Sequence, residues 1–202
     1  MKGDFSNMES VIIRPLKLND NFEEVAELIY YTDNWVYPAL FDNQLNVAKK
    51  VIPQMIVNNT VFNYSNIEVA EINHRIIGLM VFMKEYPKNN YMEMKNAFMK
   101  STGHLTPRFE ETMNGYFNTL DFDFEGIQIL NLCVSREFRN LSIAKMMIMS
   151  LDPNNIYSLA CVKDNLPARK LYEKTGFKLK YEYPGFTGIM CVELVKNREG
   201  GE

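Results

Sequence analysis

The sequence predicts a mixed α/β fold: one central sheet with a parallel βαβ portion in its second half. Three observations carry this expectation. Short apolar runs of strand length alternate with segments of helical apolar spacing along the chain. Their order reads β-α-α-β-β, then β-α-β-α-β-β, which places a crossover helix between two neighbouring strands of the second half. The composition, 47% hydrophobic and 23% charged over 202 residues, is enough to bury a sizeable core. That composition excludes a disordered chain, a collagen-like repeat and a disulfide scaffold.

Each element has its own signal. Residues 11–16 (VIIRPL) read as a strand, and Asp20 is placed to cap a helix through FEEVAELIYY. The aromatic stretch DNWVYPALFD follows as a loop, with Pro38 breaking regularity. Residues 44–57 have helical spacing but contain Pro53, which predicts a kink or a stop. Residues 67–72 and 75–83 read as a hairpin around Asn73 and His74. Residues 87–126 are expected to form a long polar and aromatic insertion, with Thr106 and Pro107 starting a helix inside it. Residues 126–134 (GIQILNLCV) are a strand, and the basic turn SREFRNL leads into the helix SIAKMMIMSL. Residues 155–162 form the next strand, followed by the helix DNLPARKLYEKTG, which Gly176 ends as a left-handed residue. Residues 177–183 and 187–195 pair through a turn at Pro184 and Gly185. With no repeat or linker composition, a single domain is expected over 1–202. Its core runs from about residue 11 to 195, with loose polar ends at 1–9 and 196–202.

Charge and cysteine usage narrow the function. A net charge of -3, from 22 basic against 25 acidic residues, gives no electrostatic footprint for nucleic acid. Cys133, Cys161 and Cys191 are odd in number and widely spaced, which suits a reducing cytoplasm and offers no metal-ligand spacing. The first ten residues are polar, without the apolar segment of a signal, and no run approaches a membrane span. A cytoplasmic location, no membrane partner and no metal are therefore expected.

Two stretches carry chemistry. The turn and helix start at 135–145 supply Arg136, Arg139 and Lys145 beside backbone N–H groups, an arrangement that suits phosphate. An ordinary turn with solvated basic residues reads equally well on the local pattern. In the second stretch, Asn165, Ala168 and Tyr172 share a helix face, so an amide, a small residue and a phenol line up along one ligand. Alternatively Asn165 is a cap, Ala168 filler and Tyr172 a core aromatic.

Together the two stretches resemble the acetyl-CoA signature of the GNAT superfamily of N-acetyltransferases. The family pattern [Q/R]-x-x-G-x-[G/A] is met by Arg139, Asn140, Leu141, Ser142, Ile143 and Ala144, with Ser142 in the glycine position. The later pattern N-x-x-A-x-x-[L/F]-Y-x-x-x-G-F is met by Asn165, Ala168, Leu171, Tyr172, Gly176 and Phe177. The resemblance implies a mostly antiparallel sheet with a parallel βαβ portion and helices on both faces. It also implies acetyl-CoA as co-substrate. The amides around 140–145 would hold the pyrophosphate, and Leu132, Cys133 and Val134 would pair with the pantetheine arm. Serine at 142 is expected to sit at a helix start without strain, but it narrows the approach and lacks glycine's freedom at positive φ.

The implied reaction is attack of an amine on the thioester. A strand N–H at Cys133 would stabilise the oxyanion, and Tyr172 would protonate or hydrogen-bond the leaving thiolate. The family's glutamate on the central strand falls at Gln128, which cannot act as a base; Asp123 and Glu125 are the other candidates. Acceptor binding is assigned to Asp33, Trp35 and Tyr37 in the aromatic loop, with Gln128, as a wall holding a cationic amine; packing of the first helix is the other reading of that loop. The expected substrate is a small-molecule or peptide amine, and a homodimer is an open alternative for assembly. A non-catalytic acyl-CoA-binding domain is the rival function.

Overall fold

The computed structural model describes residues 10–117, 126–185 and 188–198. Seven strands make one sheet: β1 (Ile12–Pro15), β2 (Ile67–Ile72), β3 (Arg75–Met83), β4 (Ile127–Val134), β5 (Tyr157–Val162), β6 (Lys178–Pro184) and β7 (Met190–Lys196). Their spatial order is β1-β2-β3-β4-β5-β7-β6, with β4 and β5 parallel and every other neighbour antiparallel. The mixed sheet with a parallel portion is what the element order predicts, and its mostly antiparallel character is what the resemblance to the GNAT superfamily implies.

Helices cover both faces. On one lie α1 (Phe22–Tyr30), α2 (Val36–Leu40), α3 (Leu45–Val57), α4 (Asn90–Thr102) and α5 (Phe109–Gly115), packed on Val69, Leu79 and Val81 of the sheet. On the other lie α6 (Ile143–Met149) and α7 (Leu166–Lys174), packed on Ile77, Met80, Leu159, Val192 and Leu194. The alternation of β3 feeds the two layers in turn, since successive side chains point to opposite faces. Among the described residues no helix is long and apolar enough to cross a membrane.

Three local expectations are corrected. Asn21, not Asp20, caps α1, its side chain accepting from the Glu23 N–H at 3.1 Å. Asp20 accepts from the Lys17 N–H and pairs with Arg14, which also bonds Glu71 on β2 and so ties β1 to its neighbour. Pro53 does not end its helix: α3 runs through it. Val51, Ile52, Met55 and Ile56 around it are fully buried, and that burial offsets the lost backbone hydrogen bond, about 3 kcal/mol for an interior proline. The polar and aromatic insertion at 87–126 holds two helices, α4 and α5, of which α5 is the helix expected inside it, started later than Thr106 and Pro107. Arg108 is the cap residue of α5, and Thr106 instead donates its hydroxyl to the Leu40 carbonyl at 2.7 Å, fastening the segment to α2. The rest of that insertion, residues 118–125, lies outside the described residues, with the end at 1–9, Phe186, Thr187 and 199–202.

Candidate active site

The sheet opens at its centre. β4 and β5 pair only at Ile127, Gln128 and Ile129 with Tyr157, Ser158 and Leu159. Beyond that point β4 continues to Val134 beside β3, while β5 continues to Val162 beside β7. The strands part where β4 carries a bulge, because Val81 faces Asn131 while Phe82 faces Ile129, leaving Leu130 as the extra residue. Bulges bend a strand, and this one turns β4 away from β5.

The ladder decides which amides face the fork. Ser135 N–H donates to the Ile77 carbonyl of β3 at 2.8 Å. N–H groups alternate along a strand, so Cys133 also points its N–H towards β3. The expected oxyanion donor at Cys133 is thereby corrected: its amide is directed into the sheet. Leu132 and Val134, offset by one, direct theirs into the fork. Burial pushes the Cys133 thiol up to about 11, so it is protonated and inert at neutral pH.

The turn after β4 leads into α6. Asn140 and Ser142 both hold positive φ, 66° and 62°. Ser142 is therefore strained, contrary to expectation, and as cap residue of α6 it makes no side-chain capping bond. Among the described residues no N–H from Asn140 through Leu141, Ser142, Ile143, Ala144 and Lys145 donates to a backbone carbonyl outside the helix. The turn thus presents a cluster of donors, the property an anionic ligand needs. Two neighbouring basic side chains are already engaged. Arg139 donates from Nε to the Val134 carbonyl at 3.2 Å, and Arg136 stacks over Tyr31 at 5.5 Å.

Across the fork stands α7. The Asn165 side chain accepts from the Ala168 N–H at 3.3 Å and caps the helix. Ala168, Leu171 and Tyr172 pack, half-buried, on the layer below. The Tyr172 ring meets Phe177 edge-on at 5.9 Å. Burial raises the phenol well above its usual value, and the Cys161 and Cys133 thiols, one on each arm of the fork, raise it further. Tyr172 keeps its proton at neutral pH.

The predicted aromatic wall divides. Tyr37 is 1% exposed; its hydroxyl donates to Asn131 Oδ1 at 3.1 Å and accepts from Asn131 Nδ2 at 2.8 Å. It is a core residue that anchors the bulge and presents no wall to a cation. Trp35 is exposed. Asp33 spends Oδ1 on the N–H groups of Trp35 and Val36, both at 2.7 Å, yet burial still raises its carboxyl. Gln128 is half-buried on the face opposite α6 and α7. Asp123 and Glu125 lie outside the described residues.

Sequence reading missed five residues on that face. Asn131 on β4, Ser158 on β5, Glu193 on β7, Tyr183 on β6 and Tyr116 beyond α5 stand with Gln128 among apolar neighbours of that face. A signal was present: an Asn inside ILNLCV and a Glu inside CVELV are polar interruptions of buried strands.

The Acetyltransferase (GNAT) family matches residues 54–177, more than half of the chain. The chain belongs to the GNAT acetyltransferase family. Solved GNAT-like structures share its fold. An N-acetyltransferase from Staphylococcus aureus Mu50 has a TM-score of 0.68 at 19% identity, covering 91% of this chain and 99% of that one. A GNAT-family acetyltransferase from Bordetella pertussis gives 0.55 at 13%, covering 94% and 97%. The NatC complex bound to a Gag peptide and CoA gives 0.50 at 15%, covering 94% and 99%. No curated protein matches the sequence.

Proposed function

We propose that this GNAT protein is an N-acetyltransferase that moves an acetyl group from acetyl-CoA to a primary amine of a small molecule or peptide. The carrying observation is the fork between β4 and β5, flanked on one side by the donor turn and on the other by Tyr172. The residues fit the co-substrate. Amides of 140–145 would take the pyrophosphate, with Arg139 nearby. Leu132 and Val134 would pair with the pantetheine arm, Cys133 lying between them, and Asn165 and Ala168 would line the far wall. Acetyl-CoA brings the activated acyl group.

Within that frame the fork-facing N–H of Leu132 or Val134 stabilises the charge that develops on the carbonyl oxygen. Tyr172 stands between the two arms as a protonated phenol and donates to the leaving sulfur. Its raised pKa makes it a hydrogen-bond donor first and a proton source second. Asp33, Trp35 and Gln128 border the acceptor side. The likeness to NatC, whose structure holds a peptide, supports a peptide amine among the acceptors. The free cysteines support a reducing compartment, the cytoplasm.

Thermal melting tests the cofactor half of this reading. A ligand that binds only the folded protein stabilises it by mass action, by about 2.7 kcal/mol at a hundred times Kd, and so raises its melting temperature. Acetyl-CoA and CoA should both raise it, and acetyl-pantetheine without phosphates much less. Equal shifts would remove the donor turn from the site. Thiol release from acetyl-CoA across an amine panel tests turnover, and separates an enzyme from an acyl-CoA-binding protein.

A further inference from the structure

Resting on the proposed acetyl transfer, we propose that Glu193 on β7 is the base that takes the proton from the acceptor ammonium, with the Ser158 hydroxyl holding the amine beside it. The base then stands two strands away from β4, where Gln128 cannot serve.

The register places these groups on one face. Val192 and Leu194 point into the layer under α6 and α7, so Glu193 points to the opposite face. Tyr157 and Leu159 do the same for Ser158, and Ile127 and Ile129 for Gln128. Gln128 pairs with Ser158, and Ser158 with Val195; two residues along, on the same face, Ala160 pairs with Glu193. Ser158 and Glu193 are therefore diagonal neighbours on adjacent strands. Ala160, between Glu193 and the fork, is exposed and carries only a methyl group, so the carboxylate can reach over it. Two strand spacings, about 10 Å, separate β7 from β4 where the strands are still paired, at Ser158, and the gap widens into the fork at the level of Glu193, where the acceptor amine would enter.

Ser158 supplies the independent observation. It is fully buried, and its hydroxyl has no hydrogen-bond partner among the described residues. An unmade bond to a buried hydroxyl costs about 1–3 kcal/mol, which a ligand amine on this face would recover. Glu193 is a carboxylate on β7, the strand next to the edge strand β6, and is 8% exposed. Among the described residues the titratable groups around it include Asp33 from the turn before α2, Tyr116 beyond α5, Tyr181 and Tyr183 from β6, and Cys191 on its own strand. Tyr116 feels Asp33, Tyr183, Cys191 and Glu193 together, which marks them as one cluster. Asp33 and Glu193 both lie outside the stretch that matches the family, residues 54–177.

The acceptor arrives as R–NH3+ and gives one proton to Glu193, forming a neutral carboxyl and a free amine. The nitrogen lone pair forms the N–C bond to the acetyl carbon, and collapse of the adduct breaks the C–S bond. The second nitrogen proton replaces the one that Tyr172 donates to sulfur, and Glu193 returns its proton to solvent.

The test compares wild type, Glu193→Gln and Glu193→Asp with acetyl-CoA and a panel of primary alkyl amines and unblocked peptides, from pH 6 to 10. CoA affinity and melting temperature are measured on the same samples. Without the base, transfer depends on the free amine already in solution. The Glu193→Gln rate should fall at least about 10²-fold at pH 7 and recover as pH approaches the pKa of the acceptor. Glu193→Asp should keep the wild-type profile at a lower rate, and CoA affinity should not move. An undiminished rate, or a loss constant with pH, overturns the assignment. So does an aspartate variant that folds, binds CoA and behaves like the glutamine one. Wild type that transfers to no amine overturns the proposed function and this base with it.

Discussion

The turn after β4 and the face above β4, β5 and β7 border the same fork and are built on opposite principles. The turn works with backbone. Its donors are amides, its shape comes from two left-handed residues, and two nearby basic side chains are occupied by Val134 and Tyr31. The face works with side chains. Asn131, Ser158 and Glu193 project from three different strands, and Asp33 comes from a turn far along the chain. Backbone chemistry tolerates sequence change provided φ is reached, which is how Ser142 stands where the family has glycine. Side-chain chemistry does not, so the face is where relatives with one fold can differ in acceptor.

Replacing Tyr172 with phenylalanine should give the largest effect, because this hydroxyl stands between the two regions. The ring and its edge contact with Phe177 remain, so CoA affinity should hold. Loss of the donor to sulfur should lower single-turnover acetyl transfer by about 10²- to 10⁴-fold. Because burial raises this phenol, the wild type should show no loss of activity from its ionisation anywhere below pH 10. A phenylalanine variant with wild-type single-turnover rate would reduce Tyr172 to packing.

The legibility of the two regions follows from the same contrast. Asn165, Ala168, Tyr172, Gly176 and Phe177 fall within one short helix and its exit, so their spacing can be read directly. The turn from Arg139 to Ala144 is equally local, although its amide directions are not in the letters. The letters carry no warning at Ser142, because a helix start needs no special φ; only the surrounding fold forces it left-handed. The acceptor face needs β4, β5 and β7 in register before its residues meet. Alternation within CVELV shows that Glu193 opposes Val192 and Leu194, but not which face the helices leave open. The direction of the Cys133 amide is hidden for the same reason: it depends on the partner strand, where Cys133 faces the sequence-distant Leu79.

An intermediate effect is expected at the hinge of the face. Tyr37→Phe removes the hydroxyl that both donates to and accepts from the buried Asn131 amide. An unsatisfied buried amide costs about 1–3 kcal/mol, to be read from urea unfolding. Because Asn131 sits at the bulge, transfer should slow as well, while CoA affinity, set at the other end of β4, should change less. A variant of wild-type stability would show that the pair does not hold the bulge.

The smallest effect is predicted at Ser142, where the backbone account of the turn is most exposed. Glycine reaches φ near 62° without the Cβ penalty, which amounts to roughly 1–2 kcal/mol for a left-handed residue. It also enlarges the unfolded ensemble, which returns about 0.5–1 kcal/mol. The net for Ser142→Gly is a gain of between about 0 and 1.5 kcal/mol, at roughly 2–4 °C in melting temperature per kcal/mol for a chain of this length. CoA binding should hold or tighten, since no side chain then narrows the approach to the amides. Ser142→Asp keeps the strain and adds a carboxylate beside the expected phosphates, so CoA binding should weaken several-fold, more at low salt than at high. A glycine variant that melts lower than wild type and binds CoA less well would mean that the Ser142 hydroxyl itself holds the ligand. The turn would then work by side chain, like the face across the fork.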